Sequence, residues 1–207
     1  MKIEWEYLFT MATVSILAVY GWHQGDVSDI HALFALGGVI LTLMVFIAFP
    51  LKISGMNLGN FFMQTAILMF ALGFPALTQT APRLLGAPHP FTVFVGTAAE
   101  EIMRIAVFII AVAAFGMPRF AVVASSITFA AIHLYWYPTE WFVAIIAGAL
   151  FSILLLYYES QTACVVSHFA YDMFAFGYIS TVFFLTFFFI NLIFGLALTR
   201  KKIKVEI

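Results

Sequence analysis

The sequence predicts an all-α membrane protein, a polytopic bundle of about eight transmembrane helices forming one domain over residues 1–207. Three observations point there. Hydrophobic residues make up 64% of the chain and charged residues 9%, against about 25% charged in a soluble domain. A soluble globule of this length would lack the polar residues to cover itself. Apolar runs long enough to cross a hydrocarbon core, which takes about 20 helical residues, recur from end to end. The stretches between them are short and rich in turn-forming Gly, Pro and Asn, and together with the two chain ends they hold most of the charges.

Taken in order, the first span is expected over Trp5–Tyr20. The start of the chain lacks a clear basic region, and no small-residue cleavage site follows Tyr20, so this run reads as a retained span, not a cleaved signal. Gly21 to Asp29 form a polar loop, and the second span runs from Ile30 to Phe49, closed by Pro50. After the loop Lys52–Asn60, the third span covers Phe61–Leu77. Thr78 to Pro90 form a loop containing Pro82, Pro88 and Pro90. The fourth span is Phe91–Phe115, the fifth Phe120–Trp136 and the sixth Trp141–Tyr158, joined by short connections. The apolar segment Thr162–Thr199 would be about 57 Å long as one helix. The hydrocarbon core is about 30 Å thick, so two spans are expected there, with a turn near Gly177–Ser180. No internal repeat is visible, which does not suggest an inverted-repeat transporter.

Lys and Arg outside the spans set the expected orientation. Lys2, Lys52, Arg119, Arg200, Lys201, Lys202 and Lys204 fall on one side and Arg83 on the other, so both termini are expected in the cytoplasm of a cell-membrane protein. Trp5, Trp22, Trp136 and Trp141 fall near span ends, as an interfacial belt would place them. The bilayer is thus an expected partner. No basic run interleaves with aromatics, so nucleic acid is not. Cys164 is the single cysteine and reads as a small buried hydrophobe.

Once the loops and span edges are set aside, the buried ionisable residues are Glu100, Glu101 and Arg104 in the fourth span, His133 in the fifth, and His168 and Asp172 in the seventh. Counting from the span ends places them well inside the membrane. His23, His31 and His89 sit in loops or at span edges and read as solvated or interfacial. A buried charge costs about 2.5–3.5 kcal/mol by insertion scales, so this set needs a reason. Adjacent helical residues point about 100° apart, so Glu100 and Glu101 face different partners. Arg104 is within reach of either, while His168 and Asp172 share a face at i,i+4. A carboxylate beside a neutral histidine can take a proton from water. A second histidine can donate to the oxyanion that water attack on an amide creates. Glu100, His133 and His168 could instead hold Zn²⁺. Ser125, Ser126 and Ser167 lie nearby, but in no recognisable nucleophile context. Attack by water on an acyl or amide bond is the reaction this inventory suggests, with a peptide or protein at the membrane as substrate.

Glu100-Glu101, Phe129-x-x-x-His133 and His168-x-x-x-Asp172, each in its own span and in this order, resemble the motifs of the CPBP family. These are the type II CAAX prenyl endopeptidases and bacteriocin-processing (Abi) proteins. The approach to the last motif, Ala147 to Leu150 and Tyr157 to Ala163, is also similar, and the resemblance covers roughly Thr97 to Asp172. It implies an eight-helix intramembrane endopeptidase in which Glu100 activates water, His133 assists or orients it, and His168 with Asp172 faces the oxyanion. Glu101 belongs to the same motif. Two positions depart from the family pattern. The family Arg follows the first Glu by five residues, where this chain has Ile105, and Arg104 stands one residue early. The last motif position is often Asn and here is Asp172. A proton- or ion-coupled transporter and a catalytically silent CPBP-like scaffold or immunity protein are the alternative readings. The expected orientation puts Glu100 nearer the external end of its span, whereas CAAX processing calls for cytoplasmic access.

Overall fold

The computed structural model describes residues 2–49, 51–78, 88–136 and 141–203, without the side chains of 74–78, 135–136 and 200–203. Within these residues the chain forms eight helices: α1 (Trp5–Gln24), α2 (Asp29–Ala48), α3 (Leu58–Thr78), α4 (Pro90–Phe115), α5 (Pro118–Trp136), α6 (Trp141–Tyr158), α7 (Gln161–Ala175) and α8 (Thr181–Ile203). The all-α class holds. Two three-residue strands, β1 (Lys2–Glu4) and β2 (Lys52–Ser54), pair in parallel with Lys2 opposite Lys52. The sequence did not suggest them, because three residues are too few to show an alternating pattern. Their pairing needs α1 and α2 as the intervening crossover.

Helix ends follow local chemistry. Gly25 (φ 81°) stops α1 in the left-handed conformation, and Ser28 caps α2 by accepting from the His31 amide. Pro90, expected as the last loop residue, is instead the first residue of α4. Its missing N–H is one that no helix start can satisfy internally, and its φ is already helical. The division of Thr162–Thr199 falls where expected: α7 stops at Ala175, Gly177 takes φ 76°, and α8 starts at Thr181. Pro50, Pro82, Arg83, Tyr137–Glu140 and Lys204 lie outside the described residues.

Among the described residues, three helices are long and apolar enough to cross a membrane, Asp29–Ala48, Trp141–Tyr158 and Thr181–Thr199. Their outward faces carry bare aliphatic side chains, Ile47 at 88% exposure and Val182 at 74%, as a lipid solvent allows. α7 is different. Its 15 residues reach about 22 Å, short of the hydrocarbon thickness, and it lies against α3 and α4 inside the bundle.

α4 is the central helix. It meets α1, α2, α5 and α7, and its side chains are buried nearly all round from Val93 to Ala111. α2 comes close enough that a Cβ on Gly38 would sit 2.5 Å from the Ile102 side chain and 3.0 Å from its backbone. Two ends of the bundle are fastened separately. At one, Glu4 accepts from the Thr162 amide (2.9 Å) and Gln161 bridges the Lys2 carbonyl and the Glu4 amide, tying β1 to the start of α7. At the other, Thr92 donates to the Asp26 carbonyl (3.1 Å) and the Tyr178 hydroxyl donates to the Pro88 carbonyl.

Candidate active site

The acidic pair on α4 splits as helical geometry requires. Glu101 turns into the protein and is fully buried with Arg104. Arg104 donates from Nη2 (2.6 Å) and Nε (3.0 Å) to Glu101 Oε2, and from Nη1 to the Ser152 hydroxyl on α6 (3.0 Å). Ser152 and Ser125 share a hydrogen bond of 2.7 Å, joining α6 to α5. The guanidinium also lies over the Phe151 ring, 5.2 Å from its centre. Every part of the early-placed Arg104 therefore has a partner, and its displacement by one residue leaves it on Glu101.

The second oxygen of Glu101 holds a histidine. His168 Nδ1 lies 3.1 Å from Glu101 Oε1. An ionised carboxylate only accepts, so Nδ1 carries the hydrogen, and Nε2 is the nitrogen on the Asp172 side. His133 is fixed in the same sense: its Nδ1–H donates to the Phe129 carbonyl at 2.9 Å. Both imidazoles thus present Nε2 to the same place. Glu100 faces that place too, with Oε2 3.8 Å from His133 Nε2. One ligand atom each from Glu100, His133 and His168 lie within 4.8 Å of one another. Phe129 packs against both rings, with centres 4.3 Å from His133 and 5.3 Å from His168, and Phe151 lies against His168.

The remaining oxygen of Glu100 meets a residue that the sequence did not single out for the site. His31, expected to be solvated, is 14% exposed in its side chain and places Nε2 3.3 Å from Glu100 Oε1. It stands on the first turn of α2, 69 positions away in sequence, so no local spacing signals the contact. His23 and His89 do sit at helix ends as expected.

Asp172 lies one turn beyond His168 on α7, with Oδ2 3.6 Å from His168 Nε2. That is too long for a hydrogen bond. Its firm partner is Thr97, whose hydroxyl donates to the same Oδ2 at 2.5 Å. Thr97 is a second contributor absent from the expected set. It lies one turn before Glu101 on α4, a position a helical-face reading could have found. Ser152 is a third, visible in the sequence only as a lone polar residue within an apolar span.

These residues are not all deep along their helices. His133 stands three positions before the end of α5 and Asp172 three before the end of α7. The expected burial far from every span end is corrected for these two. The cluster lies toward the end of the bundle away from β1. Side-chain exposure grades from zero at Glu101 through 11% at Glu100 to 21% at His133 and Asp172, so the cluster has a dry side and an accessible side.

The three serines near the cluster are engaged in hydrogen bonds within and between helices. Ser126 and Ser167 donate back to their own helices at Val122 and Ala163, and Ser125 is held by Ala121 and Ser152. Cys164 is buried, with Gln64 donating to its sulfur at 3.1 Å. Glu100, His133 and His168 offer one oxygen and two imidazole nitrogens, with both Nδ1 atoms tied back to oxygen acceptors. That donor set suits Zn²⁺ in ligand type and in its supporting bonds.

This geometry meets an independent finding. Residues 82–174 match the family model of the type II CAAX prenyl endopeptidases, Rce1-like. The CPBP resemblance is borne out. The match covers just under half of the chain and contains α4, α5, α6 and nearly all of α7. Among curated proteins and among solved structures, none matches the chain. At the level of the family, the Rce1-like segment supports a CAAX-type intramembrane protease acting on membrane-associated protein substrates. His31 lies outside this segment; Thr97 and Ser152 lie within it.

Proposed function

We propose that the chain is an intramembrane endopeptidase that cleaves a peptide bond of a membrane-associated or prenylated substrate with water activated by Glu100 and His133. The observation that carries this reading is the convergence of Glu100, His133 and His168 on one point reached from the accessible side. Glu100 Oε2 and His133 Nε2 are two acceptors 3.8 Å apart. One water can donate a hydrogen to each and keep its lone pairs for the carbonyl carbon. As the oxygen attacks, Glu100 takes the proton and later returns it to the leaving amine nitrogen. The carbonyl oxygen gains the charge. A proton on His168 Nε2 donates to it, with Asp172 close enough to favour that proton and Thr97 fixing Asp172.

Zn²⁺ held by Glu100, His133 and His168 would supply Lewis-acid polarisation of the carbonyl. His168 Nε2 cannot carry a proton for the oxyanion and donate a lone pair to a metal at once, so chelation separates the two forms of the reading. The engagement of Arg104 by Glu101 and Ser152 supports this reading over a silent scaffold, because the displaced Arg104 still holds the carboxylate that orients His168. With both termini cytoplasmic, as the Lys and Arg count proposes, the site lies toward the external end and the scissile bond enters from there.

The test uses a quenched fluorescent peptide ending in a farnesylated CAAX sequence, with the purified protein in phospholipid vesicles. Cleavage is expected from the wild type, and its loss in Glu100→Ala, His133→Ala and His168→Ala with unchanged thermal unfolding. Full activity in all three variants would overturn the reading.

A further inference from the structure

We infer that His31 is a positioning residue for Glu100: it fixes Oε1, so that Oε2 is the carboxylate atom turned toward His133. This rests on the reading of Glu100 as the base, and it concerns a residue outside all three motifs and outside the Rce1-like segment.

Each carboxylate oxygen has a different neighbour. Oε1 lies 3.3 Å from His31 Nε2 and Oε2 lies 3.8 Å from His133 Nε2. A carboxylate rotates freely about its last bond unless one oxygen is held. His133 is too far to hold it, because 3.8 Å exceeds hydrogen-bond reach. His31 is within reach, and its own ring is built into place. Ser28, the N-cap of α2, accepts from the His31 amide at 3.4 Å and sets its hydroxyl 3.1 Å from His31 Nδ1. With the serine hydroxyl donating to Nδ1, the neutral ring carries its hydrogen on Nε2, where the carboxylate accepts it.

The space for this contact is also provided. Gly96 stands one turn before Glu100 on α4, against the His31 ring. A Cβ there would lie 3.1, 3.3 and 3.4 Å from Cε1, Nε2 and Nδ1. A Cβ at 96 would press on the imidazole, which would have to shift by a few tenths of an ångström to admit it. The cap of one helix, a ring on its first turn and a gap in the facing helix thus form one device that orients a carboxylate. Removing such a supporting bond typically costs about 10–100-fold in activity.

Two measurements test it. The first does not depend on proteolysis: long-range ¹H–¹⁵N spectra of protein carrying ring-labelled histidine, in detergent micelles. His31, assigned by its loss in His31→Gln, is expected as the Nε2–H tautomer in the wild type and as a tautomer mixture in Ser28→Ala. A wild-type Nδ1–H tautomer would overturn the inference, whatever the fate of the protease reading. The second is cleavage of the farnesylated peptide. His31→Leu is expected to lower kcat about 10–100-fold with KM unchanged. His31→Gln, whose amide N–H can still donate, should recover most of that loss at equal thermal stability. Wild-type kcat in His31→Leu, in a background where Glu100→Ala is inactive, would overturn the positioning role and leave the protease reading standing. Activity in Glu100→Ala would sink the protease reading and leave the spectra to decide on His31.

Discussion

Arg104 spends two of its hydrogen bonds on one oxygen of Glu101, Oε2, and leaves Oε1 to His168. The buried guanidinium therefore acts on the site through a carboxylate: it aims Glu101, and Glu101 orients the imidazole. Both partners are fully buried, so removing one strands the other. Arg104→Met should destabilise the protein by about 3–5 kcal/mol, measured by unfolding in detergent. Arg104→Lys should not rescue it, because a point ammonium cannot reach Glu101 and Ser152 together in the fork geometry. Wild-type stability in Arg104→Lys would show that charge alone suffices.

Thr97 and Asp172 form the corresponding support on the other side of His168. Thr97→Val keeps the shape and removes the hydroxyl that Asp172 accepts. A hydrogen bond to a charged group contributes about 1.5–3 kcal/mol, and a loss of that size is expected in unfolding measurements on the variant. Asp172→Asn keeps an oxygen for Thr97 and gains an amide N–H that can itself donate to the oxyanion, so cleavage of the farnesylated peptide should persist. It should fail in Asp172→Ala. Equal activity in the Asn and Ala variants would remove Asp172 from the site.

How much of this was legible depended on distance along the chain. The helices followed from apolar runs, and the turn at Gly177 from the mismatch between segment length and membrane thickness. The placement of His168 and Asp172 on one face also followed from spacing alone, whereas spacing left Arg104 within reach of both Glu100 and Glu101 and only the structure puts it on Glu101. His31 did not. Its partner is 69 positions away, and a histidine on the first turn of a helix looks the same whether it faces water or a carboxylate. The crossing of α2 over α4 decides the matter, and that crossing depends on small residues whose effect appears only in three dimensions. The β1–β2 pair was hidden for the related reason that it joins segments separated by two helices.

Gly38 tests the crossing directly. Its missing Cβ lets α2 approach the Ile102 backbone, and Thr42 one turn on donates back to the Gly38 carbonyl at 2.8 Å. Backbone cannot move aside as a flexible side chain can. Gly38→Ala should therefore cost about 1–3 kcal/mol through overpacking. Because α2 also carries His31, cleavage should fall further than stability alone explains. A Gly38→Ala variant with wild-type melting and wild-type kcat would show that the two helices have room to spare.

Glu4 gives a pH dependence that can be measured outside the membrane-spanning segments. It lies in β1, and burial pushes its carboxyl above the ordinary value of 4.5, while the Thr162 amide and hydroxyl and the Ser160 hydroxyl pull it down. The net shift is upward. The folded state therefore holds this proton at a pH where the unfolded chain has released it, and protonation favours folding. That contribution is complete below 4.5 and is lost as pH rises through the raised folded value. In Glu4→Gln the side chain still offers an oxygen to Thr162 but does not titrate. Thermal unfolding of both proteins across pH 4–8 isolates the effect, since the other carboxyls are common to both. The variant should gain on the wild type as pH rises and then hold a constant lead. A lead that shrinks with rising pH would mean that the amide at the start of α7 stabilises the Glu4 carboxylate more than burial opposes it.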